Sequence, residues 1–445
     1  MKNPTVWPLF FLNPETDPFK YLNSLGRHTV KPGLERISSI MSAADNPHLL
    51  QNSVLIAGTN GKTSVAAMLA KILSGAGLRT GLYTSPHLIK VNERISVDGI
   101  PITDAEFAGA INEARRVSLL VGVQPSYFEI LTVAAFIFFK ERKTDFAVLE
   151  TGMGGRWDAT NISRPLGTAI TNVSLDHTRY LGGTVEEIAA EKAGIAKPET
   201  PLVTAAEGGA LGVIEKICSE KNAPVSVNGR DFRCRQTGNG EFSYGGLKWE
   251  IHGIRPAAKG IFRAENIAVA LACAESLEAA GGFNITPDGA KEAVESAFVS
   301  ARMEYLRHSP PLILDGAHNA AAAERLARSI RESHGEEKFV FVVAMSDDKD
   351  HRRFVENIAP VCSRLIFTGT GGEKFVDPEK LLKLAPPQIR AEAVSPPLFA
   401  MEKALQTSLP CCLTGSLYFA GEVKRLIHEH SVSIHPQKLA HRRNP

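Results

Sequence analysis

Short apolar runs alternate along this chain with stretches in which apolar residues recur at three and four positions. The first pattern fits a buried strand and the second a helix face. The clearest pair is Val54, Leu55, Ile56 and Ala57, then Val65, Met68, Leu69 and Ile72. It predicts a strand, a turn through Gly58, Thr59, Asn60 and Gly61, and a helix entered at Lys62. Further strands are predicted at 79–84, 146–150 and 168–173, and helices from Leu34, at 104–118, at 128–140 and at 184–194. Asp98 and Gly99 predict a small hairpin within 93–101. Residues 225–260 alternate polar and apolar positions with many glycines and read as a β-meander, and 263–281 reads as a strongly amphipathic helix. From about Arg302 the alternation starts again, with strands at 311–315, 338–343, 364–368 and 411–414. Strands alternating with helices mark doubly wound α/β sheets. Two such runs within 445 residues predict two domains, 1–300 and 301–445. Residues 1–20, the loop 27–33 and the last ten residues read as irregular.

Composition narrows the class only slightly. Hydrophobic residues make up 44% and charged residues 22%, with a formal net charge of +2. That balance fits a globular protein and argues against a nucleic-acid or membrane surface built on bulk charge. Cys218, Cys234, Cys273, Cys362, Cys411 and Cys412 lack the spacing of a zinc or redox pair, so they read as reduced, buried thiols of a cytosolic protein. The apolar stretch near Trp7 is broken by prolines and makes a poor signal peptide. The longest apolar run, Ile130 to Phe139, is too short for the roughly 20 residues of a membrane span and reads as a buried helix.

The chemistry gathers at strand exits. A strand, a glycine turn and a helix start make an anion site, because backbone N–H groups and the helix dipole face the ligand. Lys62 would reach terminal phosphates, and Thr63 or Ser64 would offer a hydroxyl to magnesium. The common eight-residue phosphate loop needs a glycine at 56, where this chain has Ile56. Parallel α/β sheets bind ligands beyond the carboxyl ends of their strands, and those ends carry Ser85, Glu150 and His177. Together, a hydroxyl, a carboxylate and an imidazole beside a phosphate loop fit a magnesium shell; singly, Ser85 also fits a turn residue, Glu150 a cap partner and His177 a structural histidine. Arg156 and Asp158 lie on a glycine-rich loop that either approaches a ligand or forms a salt-bridged turn. Lys192, on a helix with Glu186, Glu187 and Glu191, reads as part of a solvated face. Asp315 and His318 occupy a strand exit in the second half. Arg302, at the junction, fits a phosphate clamp or an interdomain salt bridge.

Taken together these motifs resemble the folylpolyglutamate synthase/dihydrofolate synthase family, within the wider group of Mur-type amide ligases. The resemblance rests on residues 58–64, on 83–87 and on Tyr127, Phe128 and Glu129. It continues through 152–161, 175–177, 191–195, 315–319 and 415–418, so it covers the chain from about 20 to 430. It implies an N-terminal P-loop Mur-ligase-like ATPase domain and a smaller C-terminal Rossmann-like α/β domain.

The implied reaction is ATP-dependent. A pterin carboxylate, of dihydropteroate or a reduced folate, becomes an acyl phosphate that the amine of L-glutamate captures. By the same resemblance, Gly58, Thr59, Asn60, Gly61, Lys62, Thr63, Ser64, Asn266, Arg302 and Asp315 bind ATP, with His318 beside them. Ser85, Glu150 and His177 are magnesium ligands. Lys192 is a lysine that becomes carbamylated and holds a second magnesium, which reverses the reading of a solvated face. Lys62, Lys192 and His318 are the catalytic set, and Phe128, Glu129, Arg156 and Asp158 face the pterin. The protein is expected to be a cytoplasmic monomer that binds neither nucleic acid nor membrane.

Departures from the family pattern are specific. Thr63 replaces a glycine, as in cell-wall ligases; Phe262 and Arg263 replace His and Gln before Asn266. Ser300 and Ala301 replace Pro and Gly before Arg302, Ala320 replaces a proline, and Trp157 replaces a leucine. Two alternatives stay open: a Mur-type ligase for a different acid, and a nucleotide-binding module without ligase activity.

Overall fold

The computed structural model describes residues 17–26, 31–238, 240–256, 262–369 and 375–430, the side chains of 262, 263 and 430 apart. The irregular stretches predicted at 1–20 and over the last ten residues lie outside what is described, except that Pro18–Ser24 forms a helix where irregular chain was expected. Residues 27–30 of the predicted loop and the side chains of Phe262 and Arg263 lie outside it too.

The first sheet has eight strands in the order Ile100–Pro101, Ile95–Val97, Thr80–Tyr83, Phe146–Glu150, Asn52–Ala57, Gly167–Ile170, Leu202–Thr204, Val225–Val227. Its six strands from Thr80–Tyr83 onward are parallel, and the hairpin at 95–101 adds two antiparallel ones. Strand periodicity divides the core. Leu55 and Ala57 pack on one face, with Ala147 and Leu149. Val54 and Ile56 pack on the other, with Phe146 and Val148. Successive side chains of a strand point to opposite faces, so a continuous apolar run means both faces are covered.

Helices supply the cover. Tyr127–Glu141 is buried from Ile130 to Phe139, as its apolar run predicts. Phe262–Gly281 corrects the amphipathic expectation: every residue from Ile267 to Ala274 is buried. That helix packs against Lys62–Gly75, whose Leu69 and Leu73 share its core with Phe242, Tyr244 and Trp249 of a small sheet and its turn. A helix enclosed on several sides has no polar face to show. The predicted meander is also corrected in part. Val225–Val227 joins the large sheet, and only Arg233–Gln236, Phe242–Gly245 and Glu250–Ile254 form a separate antiparallel sheet.

The six-stranded second sheet runs Glu304–His308, Pro311–Leu314, Cys411–Thr414, Phe339–Val343, Cys362–Phe367, Arg390–Ala393. Only the first strand is antiparallel. The strands Glu304–His308 and Arg390–Ala393 were not predicted. Both are edge strands with partly exposed residues, so they carry little apolar signal. All six cysteines are free; five are buried and Cys234 is half-buried, against the expectation that all would be buried.

Candidate functional site

The turn at 58–61 is stitched to the exit of a neighbouring strand. Thr59 N donates to Asn172 O at 2.8 Å, and Asn60 N donates to Asn172 Oδ1 at 3.1 Å. Thr171 Oγ1 and Asn172 Nδ2 both donate to Asn60 O, at 2.6 and 2.9 Å. Gly61 has φ +87, and a Cβ there would come within 2.3 Å of Asn266 Oδ1. That backbone conformation and that close approach both require glycine. The helix Lys62–Gly75 starts behind Gly61 with no side chain capping it, so its first N–H groups face the cavity.

Two lysines converge on this turn. Lys62 Nζ donates to Gly58 O at 3.0 Å, and Lys192 Nζ donates to the same carbonyl at 2.8 Å. Lys192 is buried, which overturns the solvated-face reading of its helix. Burial, reinforced by the charge of Lys62, lowers the Lys192 pKa to about 7. The three glutamates that share its helix are in intermediate or exposed positions.

Glu150 is buried at the end of its strand and accepts from Thr63 Oγ1 at 3.0 Å and Ser85 N at 3.2 Å. Burial raises its pKa, although the Lys62 charge opposes this. His177 has φ +49, and burial lowers its pKa to about 4 despite the adjacent Asp176 carboxylate. It is therefore neutral near pH 7 and has a free ring lone pair. A buried carboxylate short of positive charge, a hydroxyl and a neutral imidazole suit a divalent cation. Thr63, Ser85, Glu150 and His177 fit that description. No group of three or more His, Cys, Asp and Glu with metal-holding geometry exists among the described residues.

The second sheet closes the cavity. Asp315 is buried and accepts from Met303 N and Ala317 N, both at 2.8 Å. Burial raises its pKa against the charge of Arg302. Arg302 sits between Ala301 and Met303, which have φ +55 and +50; such strain collects at functional sites. His318 Nδ1 lies 2.8 Å from Gly316 O. One cavity is lined by residues 58–64 together with Ser85, Glu150, His177, Lys192, Asn266, Arg302, Asp315 and His318. Nucleotide-side residues predicted from both halves of the chain therefore face one space.

A second cavity, ≈ 790 Å³, adjoins it, and Ser85, His177 and His318 line both. Phe128, Glu129 and Asp158 line the second cavity, and Arg156 lines neither. The Arg156 guanidinium instead pairs with Glu191 at 3.5 Å. Glu129 accepts from Arg36 Nε at 3.1 Å and Ser126 N at 2.7 Å. Asp158 accepts from Gly152 N, Met153 N and Thr160 N. Both carboxylates hold the wall together.

The residue that sequence reasoning missed is Asp176. Its carboxylate accepts from Lys349 Nζ at 2.7 Å and Asn319 Nδ2 at 3.0 Å, with His318 Nε2 at 3.5 Å. Burial alone would raise its pKa; the His318 contact and the charges of His318, His177 and Lys349 outweigh that and hold the carboxyl far below its usual range. Asn319 Nδ2 also reaches Asn60 Oδ1 at 3.2 Å. Asp176, Asn319 and Lys349 all follow strand ends, and the first two lie within the family motifs at 175–177 and 315–319, but neither signal gave them a role.

Two largely parallel α/β sheets facing one cavity beside a glycine turn fit the Mur ligase class, and the comparisons agree. Residues 56–274 match the Mur ligase middle domain, and residues 301–410 match the Mur ligase glutamate ligase domain. The chain is 33% identical over 412 residues to dihydrofolate synthase/folylpolyglutamate synthase of Bacillus subtilis, covering 89% of this chain and 95% of that one. Among solved structures it matches Escherichia coli FolC in complex with DHPP and ADP, with TM-score 0.86, 26% identity, and coverage of 94% and 99%. It also matches the bifunctional folylpolyglutamate synthase/dihydrofolate synthase of Yersinia pestis complexed with AMPPNP and a Mn ion, with TM-score 0.85, 27% identity and the same coverage. The chain belongs to the dihydrofolate synthase/folylpolyglutamate synthase family.

Proposed function

We propose that this chain is an ATP-dependent ligase that joins L-glutamate to a pterin acid, either dihydropteroate or a reduced folate. One observation carries the reading. Lys62, Lys192, Glu150 and His177 from the first sheet share a cavity with Arg302, Asp315 and His318 from the second. Its relatives crystallise with adenine nucleotides, and one of them also with DHPP.

In this reading residues 58–64 cradle the phosphates of ATP, and Lys62 swings from Gly58 O to the terminal phosphate. The partial positive charge of the helix start adds to it. Asn266, Arg302 and Asp315 contact the rest of the nucleotide. Magnesium, held by Ser85, Glu150 and His177, would neutralise phosphate charge. A second ion would require Lys192 as a carbamate; burial favours this by lowering the amine's pKa to about 7, so that a substantial share is neutral near pH 7.

The acid occupies the second cavity over Phe128, between walls fixed by Glu129 and Asp158, and its volume falls within the range of about 300–1,000 Å³ usual for small-molecule sites. Arg156 does not line that cavity but pairs with Glu191, which does. The carboxylate of the acid meets the terminal phosphate where the cavities join, at Ser85, His177 and His318. The carboxylate oxygen attacks the γ-phosphorus and ADP leaves. The glutamate amine then attacks the acyl carbon, phosphate leaves, and the amine gives up a proton. Positioning and charge neutralisation supply most of the catalysis in such phosphoryl transfer. The reading includes domains at 1–300 and 301–445 and a monomeric, cytoplasmic enzyme.

Phosphate release is the test. ATP, Mg2+ and L-glutamate are supplied with dihydropteroate, a reduced folate or a UDP-muramoyl acid in turn. Release is expected only with a pterin acid and glutamate together, and Lys62→Ala should abolish it. Release with the UDP-muramoyl acid and none with pterins would overturn the reading. ATP binding without release for any acid would leave only a nucleotide-binding module.

A further inference from the structure

Trp157 is an exposed large side chain on an otherwise tied-down loop. Its exposure is 51%, while both neighbouring stretches are pinned. Before it, Arg156 N donates to Glu191 O at 2.8 Å, and Arg156 O accepts from Asn161 Nδ2 at 3.0 Å. After it, Asp158 is buried and holds three backbone N–H groups. The backbone at 157 therefore has little freedom, and Trp157 lines the second cavity with about half of its surface open to solvent.

Tyr180, 59% exposed, lines the same cavity from the helix Thr178–Leu181. The two segments touch, since a Cβ on Gly154 would come within 2.9 Å of Leu181 Cδ2. Two aromatic side chains on adjoining segments are thus held at one cavity, and Phe128 lines it too. With the backbone already fixed, a ligand that covers the indole has only its two side-chain torsions left to order. Flat rings stack on such faces and gain beyond the area they bury.

We propose that Trp157 is a substrate-contacting specificity residue: with Tyr180 it forms an aromatic rim that stacks on the flat conjugated ring of the acid substrate. The inference rests on the pterin-acid reading and adds a residue that selects flat aromatic acids over aliphatic ones.

The test compares the unsubstituted chain with Trp157→Ala and Trp157→Phe in steady-state phosphate release. Trp157→Ala should raise KM for the pterin acid roughly five- to ten-fold, the size of one lost aromatic contact. KM for ATP should stay within two-fold, and Trp157→Phe should recover most of the loss. Titrating the pterin acid should also quench tryptophan fluorescence in the unsubstituted chain and much less in Trp157→Phe. An unchanged KM for the acid in Trp157→Ala, in an enzyme that turns that acid over, overturns the inference and leaves the function standing. No turnover of any pterin acid by the unsubstituted chain overturns both.

Discussion

Lys349 Nζ donates to Asp176 Oδ1 at 2.7 Å, and the two residues lie on loops that follow strands of different sheets. Asp176 follows the strand Gly167–Ile170, and Lys349 follows Phe339–Val343. Their side chains are 7% and 8% exposed, so the pair is effectively buried. Asn319 occupies the other carboxylate oxygen. Breaking such a pair leaves an uncompensated buried charge, which costs more than the pair gains by forming.

Asp176→Asn should therefore destabilise the chain by about 3 kcal/mol at pH 7, measured by urea denaturation. The Asp176 carboxyl is held below its unfolded value. Its contribution is thus complete above the unfolded carboxylate pKa of about 3.9 and erodes as pH falls below it. The gap between the two chains should shrink between pH 4 and pH 2. Equal stability at pH 7 would remove Asp176 as a link between the sheets.

Lys192 has a pKa lowered to about 7, mainly by burial. The neutral amine, the form that adds carbon dioxide, grows as pH rises through 7. With 13C-bicarbonate, a carbamate carbon signal should increase from pH 6 to pH 8 and be missing in Lys192→Arg. The stability sign is separate. Between pH 7 and about 10.4 the unfolded chain holds the proton more tightly, so this residue's contribution to stability rises with pH. No carbamate signal at pH 8 would leave Lys192 as an amine.

Glu150→Gln should separate stability from activity. Burial raises the Glu150 pKa, so the ionised form is disfavoured in the metal-free fold. The amide oxygen can still accept from Thr63 or Ser85, so Tm without metal should stay level or rise. Activity should fall at least ten-fold at fixed Mg2+, because an ionised ligand is lost. Mn2+ binding followed by electron paramagnetic resonance should weaken in parallel. Undiminished Mn2+ affinity would exclude Glu150 as a ligand.

Gly61→Ala should prevent nucleotide binding more than it unfolds the protein. The left-handed backbone costs a non-glycine residue about 1–2 kcal/mol. The added methyl also meets Asn266 Oδ1 at 2.3 Å. Calorimetry should show ATP affinity reduced by at least ten-fold, with far-UV circular dichroism unchanged. Unaltered affinity would place the phosphates elsewhere.

Much of the architecture was legible because its signals are local. The strand at 54–57, the turn and the helix from Lys62 lie within one stretch of sequence, where periods of two and 3.6 can be told apart. The buried helix at Ile130 to Phe139 was readable for the same reason. The edge strands Glu304–His308 and Arg390–Ala393 were not, because partly exposed strands lack a continuous apolar run. The helix Phe262–Gly281 deceived in the other direction, since the small three-stranded sheet packs where its solvent face was expected.

By itself, then, the sequence determined a strand–glycine turn–helix unit and two α/β runs, because each is encoded by residues a few positions apart. Only the tertiary structure decided which charges meet. Lys192, surrounded in sequence by glutamates, is sealed against Gly58 O; Arg156 faces Glu191 and lines neither cavity; Asp176 bridges to Lys349, 173 positions away. Burial and charge partners are set by elements far apart in the chain, and they fix the protonation state on which the chemistry depends.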